Sequence, residues 1–182
     1  MSIVFVTGGV RSGKSAFAEQ LAKEKDVSVL YVATGVATDK EMEQRIALHR
    51  ERRPASWEVA ERPYDADAFV SEYSGYEVVL FDCVSTWLSN LLLTFPEGRW
   101  RDGAATEEIK GKIERWLSGV RQYQGTMIVV SSEAGLGGVA MSRLGRWFQD
   151  MLGWANQRIA AEADEVYAVI SGIPCKIKGE RI

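Results

Sequence analysis

The sequence has little that would indicate an extracellular, membrane-bound or nucleic-acid-binding protein. Only two residues are cysteine, Cys83 and Cys175, so there is no disulfide framework and the chain suits a reducing compartment. A formal net charge of −3 leaves no broad basic surface for nucleic acid or anionic lipid. No apolar run approaches the length of a membrane span, and the start of the chain lacks the features of a signal peptide. We therefore expect a cytoplasmic protein that binds no nucleic acid and spans no membrane.

The length and composition are those of one globular unit. The chain has 182 residues, of which 46% are hydrophobic and 26% charged. This is enough to bury a sizeable core, and no internal repeat or low-complexity segment divides the chain. We expect a single domain over residues 1–182.

Apolar runs typical of strands alternate along the chain with helical patterns, which predicts an α/β fold with a mostly parallel sheet and helices on both faces. A turn over residues 171–174 should lead the last strand back as an antiparallel hairpin at the sheet edge. Ligands of such sheets bind beyond the carboxyl ends of the strands. The predicted strands cover residues 3–7, 27–33, 56–61, 77–82, 126–131, 166–170 and 175–178, and the predicted helices cover 14–25, 39–52, 64–73, 84–95, 104–122 and 142–163.

The first strand runs into a phosphate-binding loop. The loop fits the pattern G-x-x-x-x-G-K-[ST], with Gly8, Gly13, Lys14 and Ser15 at the fixed positions. Glycines let successive N–H groups point at one phosphate, and the next helix offers its positive end. The lysine neutralises phosphate charge and the serine hydroxyl can ligate Mg²⁺. The sequence therefore predicts a nucleoside triphosphate site over Gly8, Gly9, Val10, Arg11, Ser12, Gly13, Lys14 and Ser15.

Asp82 is a second candidate site residue, and it ends a near-continuous apolar run, Val78-Val79-Leu80-Phe81. Such a run is typical of a central parallel strand that delivers a carboxylate to its carboxyl end. Beside a phosphate-binding loop, an aspartate there holds Mg²⁺, commonly through water. The alternative for Asp82 is an ordinary strand-end residue that caps the next helix.

His49 is the only histidine, and it lies among four arginines at positions 45, 50, 52 and 53. One interpretation is a surface residue of a solvated helix. The other is a nucleophile, because an imidazole with an ordinary pKa of about 6.5 is largely neutral at pH 7. A neutral imidazole can attack phosphorus and form a phosphoramidate, and the arginines would stabilise charge on the phosphate.

Further short motifs are spread over nearly the whole chain. They include Tyr31-Val32-Ala33-Thr34, the stretch 42–57 with Arg45-Ile46, His49 and Arg53-Pro54, Asp82-Cys83-Val84-Ser85 with Asn90-Leu91-Leu92, Glu133-Ala134-Gly135-Leu136-Gly137, Asn156-Gln157-Arg158, and Val169-Ile170-Ser171-Gly172-Ile173. Together with the phosphate-binding loop, these motifs resemble the bifunctional adenosylcobinamide kinase / adenosylcobinamide-phosphate guanylyltransferase family of cobalamin biosynthesis.

The resemblance implies two reactions in one RecA-like P-loop domain that assembles as a homotrimer. ATP or GTP phosphorylates the hydroxyl of adenosylcobinamide, and GMP then passes from GTP to that phosphate through a guanylyl-histidine at His49. Mg²⁺ would assist, held by Ser15 and Asp82, with Lys14 acting in catalysis. Beyond the loop 8–15, the resemblance implies nucleotide or metal contacts at Ala33, Thr34, Gly35, Arg50, Glu51, Arg52, Arg53, Glu61 and Asp82.

The sequence departs from the family in details and leaves alternatives open. Some members have two adjacent histidines where this chain has Leu48-His49, and some have glutamate at the position of Asp82. The general base of the kinase step is not evident, and Glu133 is one candidate. A simple P-loop kinase without the transferase step, and a nucleotide-binding regulatory module, remain as competing functions.

Overall fold

The computed structural model describes residues 2–25, 27–37, 40, 43, 44, 46, 47, 50 and 53–179. Within them, a seven-stranded sheet has the order β3-β2-β4-β5-β1-β6-β7. Strands β1 to β6 pair in parallel, and β7 pairs antiparallel to β6. The strands are β1 (Ser2–Gly8), β2 (Val29–Ala33), β3 (Glu58–Glu61), β4 (Val78–Asp82), β5 (Thr126–Ser132), β6 (Glu165–Ile170) and β7 (Ile173–Lys178).

Helices connect the strands and cover both faces of the sheet, as predicted. In the described part of the chain, the α-helices are α1 (Lys14–Lys23), α2 (Ala66–Phe69), α3 (Val84–Leu93), α4 (Gly103–Gln122) and α5 (Arg143–Glu162). Asp102 caps the start of α4 and Ser142 that of α5, each through a side chain that accepts a backbone N–H. None of the described helices is both long and apolar enough to cross a membrane.

The core is split by the central strands, whose alternate side chains face opposite sides. In β4, Val79 and Phe81 face the layer formed by α3, α4 and α5, whereas Val78 and Leu80 face α1. Trp87 of α3 and Trp116 of α4 are fully buried against Phe81, with ring centroids 5.8 and 4.8 Å from it. The apolar helix around Trp87 therefore contributes to the core.

Three predicted elements differ in the structure. The predicted helix 64–73 is a short α2 followed by a 3₁₀ segment, Val70–Gly75. The predicted turn 171–174 contains only Ser171 and Gly172, whose φ angles of 52° and 81° form a tight two-residue hairpin. Pro174 belongs to β7, where an edge strand tolerates its missing N–H. The predicted strand 56–61 begins at Glu58, because Trp57 closes a turn on Pro54.

The predicted helix 39–52 lies largely outside the described residues. Its described positions, residues 40, 43, 44, 46, 47 and 50, are helical. His49, Glu51 and Arg52 are among the residues that the structure does not describe.

Candidate functional site

A cavity of about 1260 Å³ opens at the carboxyl edge of the parallel strands. The phosphate-binding loop forms one wall and residues 46, 47 and 50 of the predicted helix 39–52 form part of another. This is the position expected for a ligand of an open α/β sheet. The predicted site residues that line it are Val10, Arg11, Ser12, Gly13, Lys14, Ser15, Ala33, Gly35, Arg50, Arg53, Glu61 and Asp82.

The two fixed glycines of the phosphate-binding loop are required by close packing. A Cβ on Gly8 would lie 2.5 Å from the carbonyl oxygen of Val169, and one on Gly13 would lie 3.2 Å from Cα of Gly172. Gly13 also has φ 95°, in the left-handed region, where it begins α1. The Gly172 N–H donates to the carbonyl of Ser12 at 2.8 Å. The β6–β7 hairpin therefore supports the loop from behind.

Lys14 and Ser15 lie at the start of α1, as the motif requires. The Lys14 ammonium donates to the carbonyl of Gly9 at 3.1 Å, so its side chain folds back over the loop. The Ser15 hydroxyl donates to Oδ1 of Asp82 at 3.2 Å. The structure therefore brings together the two oxygen-bearing side chains that the sequence predicts for the metal.

The Ser15–Asp82 pair fits Mg²⁺ of the phosphate-bound kind. Mg²⁺ prefers oxygen ligands and binds through one or two protein groups together with phosphate and water. Among the described residues, no group of three or more histidine, cysteine, aspartate or glutamate side chains forms a metal cage. A hydroxyl and one carboxylate beside the phosphate-binding loop therefore suit a Mg²⁺ ion that is bound jointly by protein, phosphate and water, and not one enclosed by protein ligands alone.

Tyr31 is a site residue to which the sequence analysis assigned no role, although it belongs to one of the short motifs. Its hydroxyl donates to Oδ2 of Asp82 at 2.7 Å, so both carboxylate oxygens accept a hydrogen bond. Burial of the phenol and, next, the negative charge of Asp82 raise the pKa of Tyr31 well above its ordinary value. The phenol therefore stays protonated and remains a donor. Its partner is 51 residues away, and only the pairing of β2 with β4 brings the two together.

Arg53 packs on the face of the same tyrosine. Its guanidinium carbon lies 4.2 Å from the centroid of the Tyr31 ring. On this side of the sheet the Trp57 ring stacks on Tyr31, with centroids 6.5 Å apart. A cation over an aromatic face is favourable, so the ring fixes the approach of Arg53 to the cavity.

Thr34 is buried and joins β2 to β4. Its hydroxyl donates to the carbonyl of Cys83 and accepts from the N–H of Cys83, both at 2.9 Å. Asn90 donates to the Thr34 carbonyl at 2.8 Å. Thr34 is therefore placed to hold the turn in shape, whereas its neighbours Ala33 and Gly35 line the cavity.

Arg50 and Glu61 form an ion pair at the β3 side of the cavity. Both side chains are more than half exposed, at 61% and 62%. Arg50 lies in the segment that contains His49, so the pair ties that segment to the end of β3. The structure does not describe His49, Glu51 and Arg52, and their predicted roles are not tested by it.

Glu133 lies on the opposite side of Asp82, just beyond β5. Its carboxylate Oε1 accepts from the Thr7 hydroxyl at 2.8 Å and from the Asn156 amide at 3.2 Å. The Asn156 amide is held in turn by the Ser131 hydroxyl, which donates to Oδ1 at 2.7 Å. Sequence reasoning did not predict this network, because its members come from β1, β5 and α5. The only sequence feature that these residues share is that a polar residue interrupts an otherwise apolar strand or helix face.

The two cysteines lie in different parts of the fold. Neither forms a disulfide among the described residues, and Cys83 lies at the cavity whereas Cys175 is exposed on β7. Burial, followed by the charge of Asp82, raises the pKa of the Cys83 thiol, so this thiol is not an activated nucleophile.

Comparison with known structures supports the fold. The chain is similar to the RadB recombinase, with a TM-score of 0.50 at 15% identity over 92% of this chain and 73% of that one. At this identity the likeness concerns the fold alone, and it agrees with the predicted RecA-like arrangement.

Comparison with known sequences reaches further. The model of a family described as cobinamide kinase / cobinamide phosphate guanyltransferase matches residues 4–177. Bifunctional adenosylcobalamin biosynthesis protein CobP of Pseudomonas aeruginosa is 40% identical over 96% of both chains. The CobU proteins of Escherichia coli and Salmonella typhimurium, described by the same phrase, are 39% and 38% identical over 97% of this chain and 99% of each relative. With this match along almost its entire length, and with the phosphate-binding loop and Asp82 assembled at one sheet edge, the chain belongs to the cobinamide kinase / cobinamide phosphate guanyltransferase family.

Proposed function

We propose that this protein phosphorylates adenosylcobinamide with ATP or GTP and then transfers GMP from GTP to the product, giving adenosylcobinamide-GDP. The observation that carries the proposal is the family match over residues 4–177. The cavity supports it, because 1260 Å³ beside the phosphate-binding loop leaves room for a nucleotide and part of a second substrate. Membership of an enzyme family speaks against a purely regulatory nucleotide-binding module.

In the kinase reaction, the loop 8–15 would hold the phosphates in line with the acceptor hydroxyl. Phosphoryl transfer depends mainly on positioning and on neutralising charge at the transferred group. Lys14 is placed to supply positive charge once phosphate replaces its contact with Gly9. Mg²⁺, held through Ser15 and Asp82, would supply further charge neutralisation when bound.

In the transferase reaction, His49 would be the nucleophile. A ring nitrogen of the neutral imidazole bonds to the α-phosphorus of GTP, the bond to the β-phosphate oxygen breaks, and pyrophosphate leaves with the electron pair. The phosphate of the corrinoid then attacks the same phosphorus and frees the imidazole. Residues on both sides of His49, Ala47 and Arg50, line the cavity, which supports placing the imidazole at this wall.

The remaining site assignments follow the same proposal. Arg50 and Arg53 line the cavity and follow His49 in the sequence, with Glu51 and Arg52 between them. We propose that the nucleotide contacts Gly8 to Ser15, Ala33, Gly35, Arg50, Glu51, Arg52, Arg53, Glu61 and Asp82, with the buried Thr34 holding the turn between Ala33 and Gly35 in shape. We also propose that the protein acts as a single cytoplasmic domain, residues 1–182, in a homotrimer.

Intact-protein mass spectrometry after incubation with GTP and Mg²⁺ tests the transferase mechanism. The wild type should gain the mass of one GMP in an acid-labile linkage, and His49→Ala should gain none while it still phosphorylates adenosylcobinamide. Lys40→Ala is the matched control in the same segment, since Lys40 is exposed and does not line the cavity. A wild type that binds GTP without modification would leave a simple P-loop kinase as the better description. Light scattering of the purified protein tests the trimer.

A further inference from the structure

One carboxylate, that of Glu133 directly after the cavity-lining Ser132, has no part in the proposed binding of phosphate, metal or guanylyl group. Glu133 follows β5, which pairs with β1 so that Ser132 lies opposite Gly8. The Glu133 N–H donates to the carbonyl of Gly8 at 3.1 Å, and the Lys14 ammonium donates to the carbonyl of Gly9, also at 3.1 Å. The Glu133 backbone N–H and the Lys14 ammonium are therefore bonded to successive carbonyls of the phosphate-binding loop.

The Glu133 carboxylate is held by donors that end on one oxygen. Thr7 and Asn156 both donate to Oε1, and the described residues place no donor on Oε2. Asn156 is only 6% exposed, and its amide orientation is set because Ser131 donates to Oδ1 while Nδ2 donates to the Ser132 carbonyl at 3.0 Å. The network thus fixes the carboxylate and leaves its second oxygen for another donor.

Among the residues that the structure describes, Glu133 is not part of a salt bridge. An ordinary surface glutamate would be solvated or paired, whereas this one is half-buried and oriented by neutral donors. Neutral donors on one oxygen orient a carboxylate without forming an ion pair.

We propose that Glu133 is the general base of the kinase step, an inference that rests on the proposed function. The acceptor hydroxyl donates its proton to Oε2 of Glu133 as its oxygen bonds to the γ-phosphorus. The bond between that phosphorus and the β,γ-bridging oxygen breaks, and the electron pair leaves with the nucleoside diphosphate. The carboxyl of Glu133 then releases the proton to solvent.

Glu133 and the Arg50–Glu61 pair lie on opposite flanks of Asp82. The His49 segment is tied to the end of β3 through Arg50 and Glu61. Strands β2 and β4 separate β3 from β5, and neighbouring strands are about 4.8 Å apart, so the ends of β3 and β5 lie roughly 14 Å apart along the sheet edge. The proposal therefore predicts that loss of the Glu133 carboxylate separates the two activities.

The experiment compares wild type, Glu133→Gln and Glu107→Gln in two assays on the same preparations. The assays are ATP-dependent phosphorylation of adenosylcobinamide and formation of the GMP adduct from GTP. Glu107 is an exposed glutamate of α4 that pairs with Lys110 and does not line the cavity, and it is the matched control. For Glu133→Gln we expect kcat of the kinase reaction to fall about 100-fold or more, the usual contribution of a general base, with little change in KM for ATP. The rate of adduct formation by Glu133→Gln should stay within about twofold of the wild-type rate, which is far less than the loss of rate expected when a general base is removed.

Two results would overturn the inference. One is kinase activity in Glu133→Gln close to that of wild type. The other is parallel loss of kinase activity, adduct formation and GTP binding, which would make Glu133 a structural support of the loop. A wild type that shows neither activity would instead sink the proposed function itself, so the two failures are distinguishable.

Discussion

The two flanks of Asp82 at the sheet edge are built differently. On the flank towards β1, the side chains are buried or half-buried and held by hydrogen bonds from neighbouring strands, as in the network of Thr7, Glu133 and Asn156. On the flank towards β3, Arg50 and Glu61 are more than half exposed and form an ion pair with each other. The first flank is preorganised, whereas the second can exchange its ion pair for contacts with a ligand. Phosphoryl transfer needs the first property, and admission of two large substrates in turn suits the second.

The largest effect should come from the phosphate-binding loop, which both reactions use. We expect Lys14→Met to lower the rates of kinase and adduct formation by about 10²–10³-fold or more, because it removes a charge directed at the developing phosphate charge. Rates measured at saturating GTP would show this. Lys25→Met, an exposed residue just after α1, is the control and should leave both rates unchanged. Loss of only one of the two activities would show that the flanks do not share the loop.

Asp82→Asn should have the next largest effect, because it keeps the size of the side chain but removes its charge. We expect the Mg²⁺ concentration for half-maximal activity to rise by up to about 100-fold in both reactions, as for other groups that support a bound metal. Titration of kinase rate and adduct formation with Mg²⁺ measures this. An unchanged Mg²⁺ dependence would show that Asp82 does not hold the metal and serves as a hydrogen-bond acceptor for Ser15 and Tyr31.

Tyr31→Phe removes the hydrogen bond from the phenol to Asp82 and leaves the ring under Arg53 intact. We expect the Mg²⁺ concentration for half-maximal activity to rise by about tenfold, because Tyr31 would support a metal ligand without binding the metal itself. Because burial and Asp82 raise the pKa of Tyr31, the phenol stays protonated throughout the neutral range. An ordinary tyrosine has a pKa of about 10, and that of Tyr31 is higher still. The ratio of wild-type to variant activity should therefore be constant between about pH 6 and 9. A ratio that changes within this range would mean that Tyr31 acts through its ionised form.

The same contrast between flanks explains how much of the molecule could be predicted from the sequence. The loop 8–15 and Asp82 were predictable because each follows an apolar strand, so local patterns fix both their identity and their end of the sheet. Tyr31 and Asn156 were not assigned these contacts because their partners lie 51 and 23 residues away and meet them only through strand pairing or helix packing. The predicted helix 64–73 was wrong beyond Phe69, where the chain tightens to a 3₁₀ turn and places Tyr73 in the core. Local periodicity does not distinguish that turn from a continuing helix.

The smallest effect belongs to the exposed flank. Glu61→Gln breaks the pair with Arg50, but exposed pairs contribute only about 0–1 kcal/mol, so the free energy of unfolding should change by no more than that. A ligand that recruits Arg50 must give up the same small amount, which lets the pair open without a large penalty. We therefore expect KM for GTP in adduct formation to change by about fivefold at most, the equivalent of 1 kcal/mol, and the ATP-dependent kinase rate to stay unchanged. Chemical denaturation and the two activity assays test this together. A loss of kinase activity as large as that of Glu133→Gln would contradict the division of the site into a rigid and an exchangeable flank.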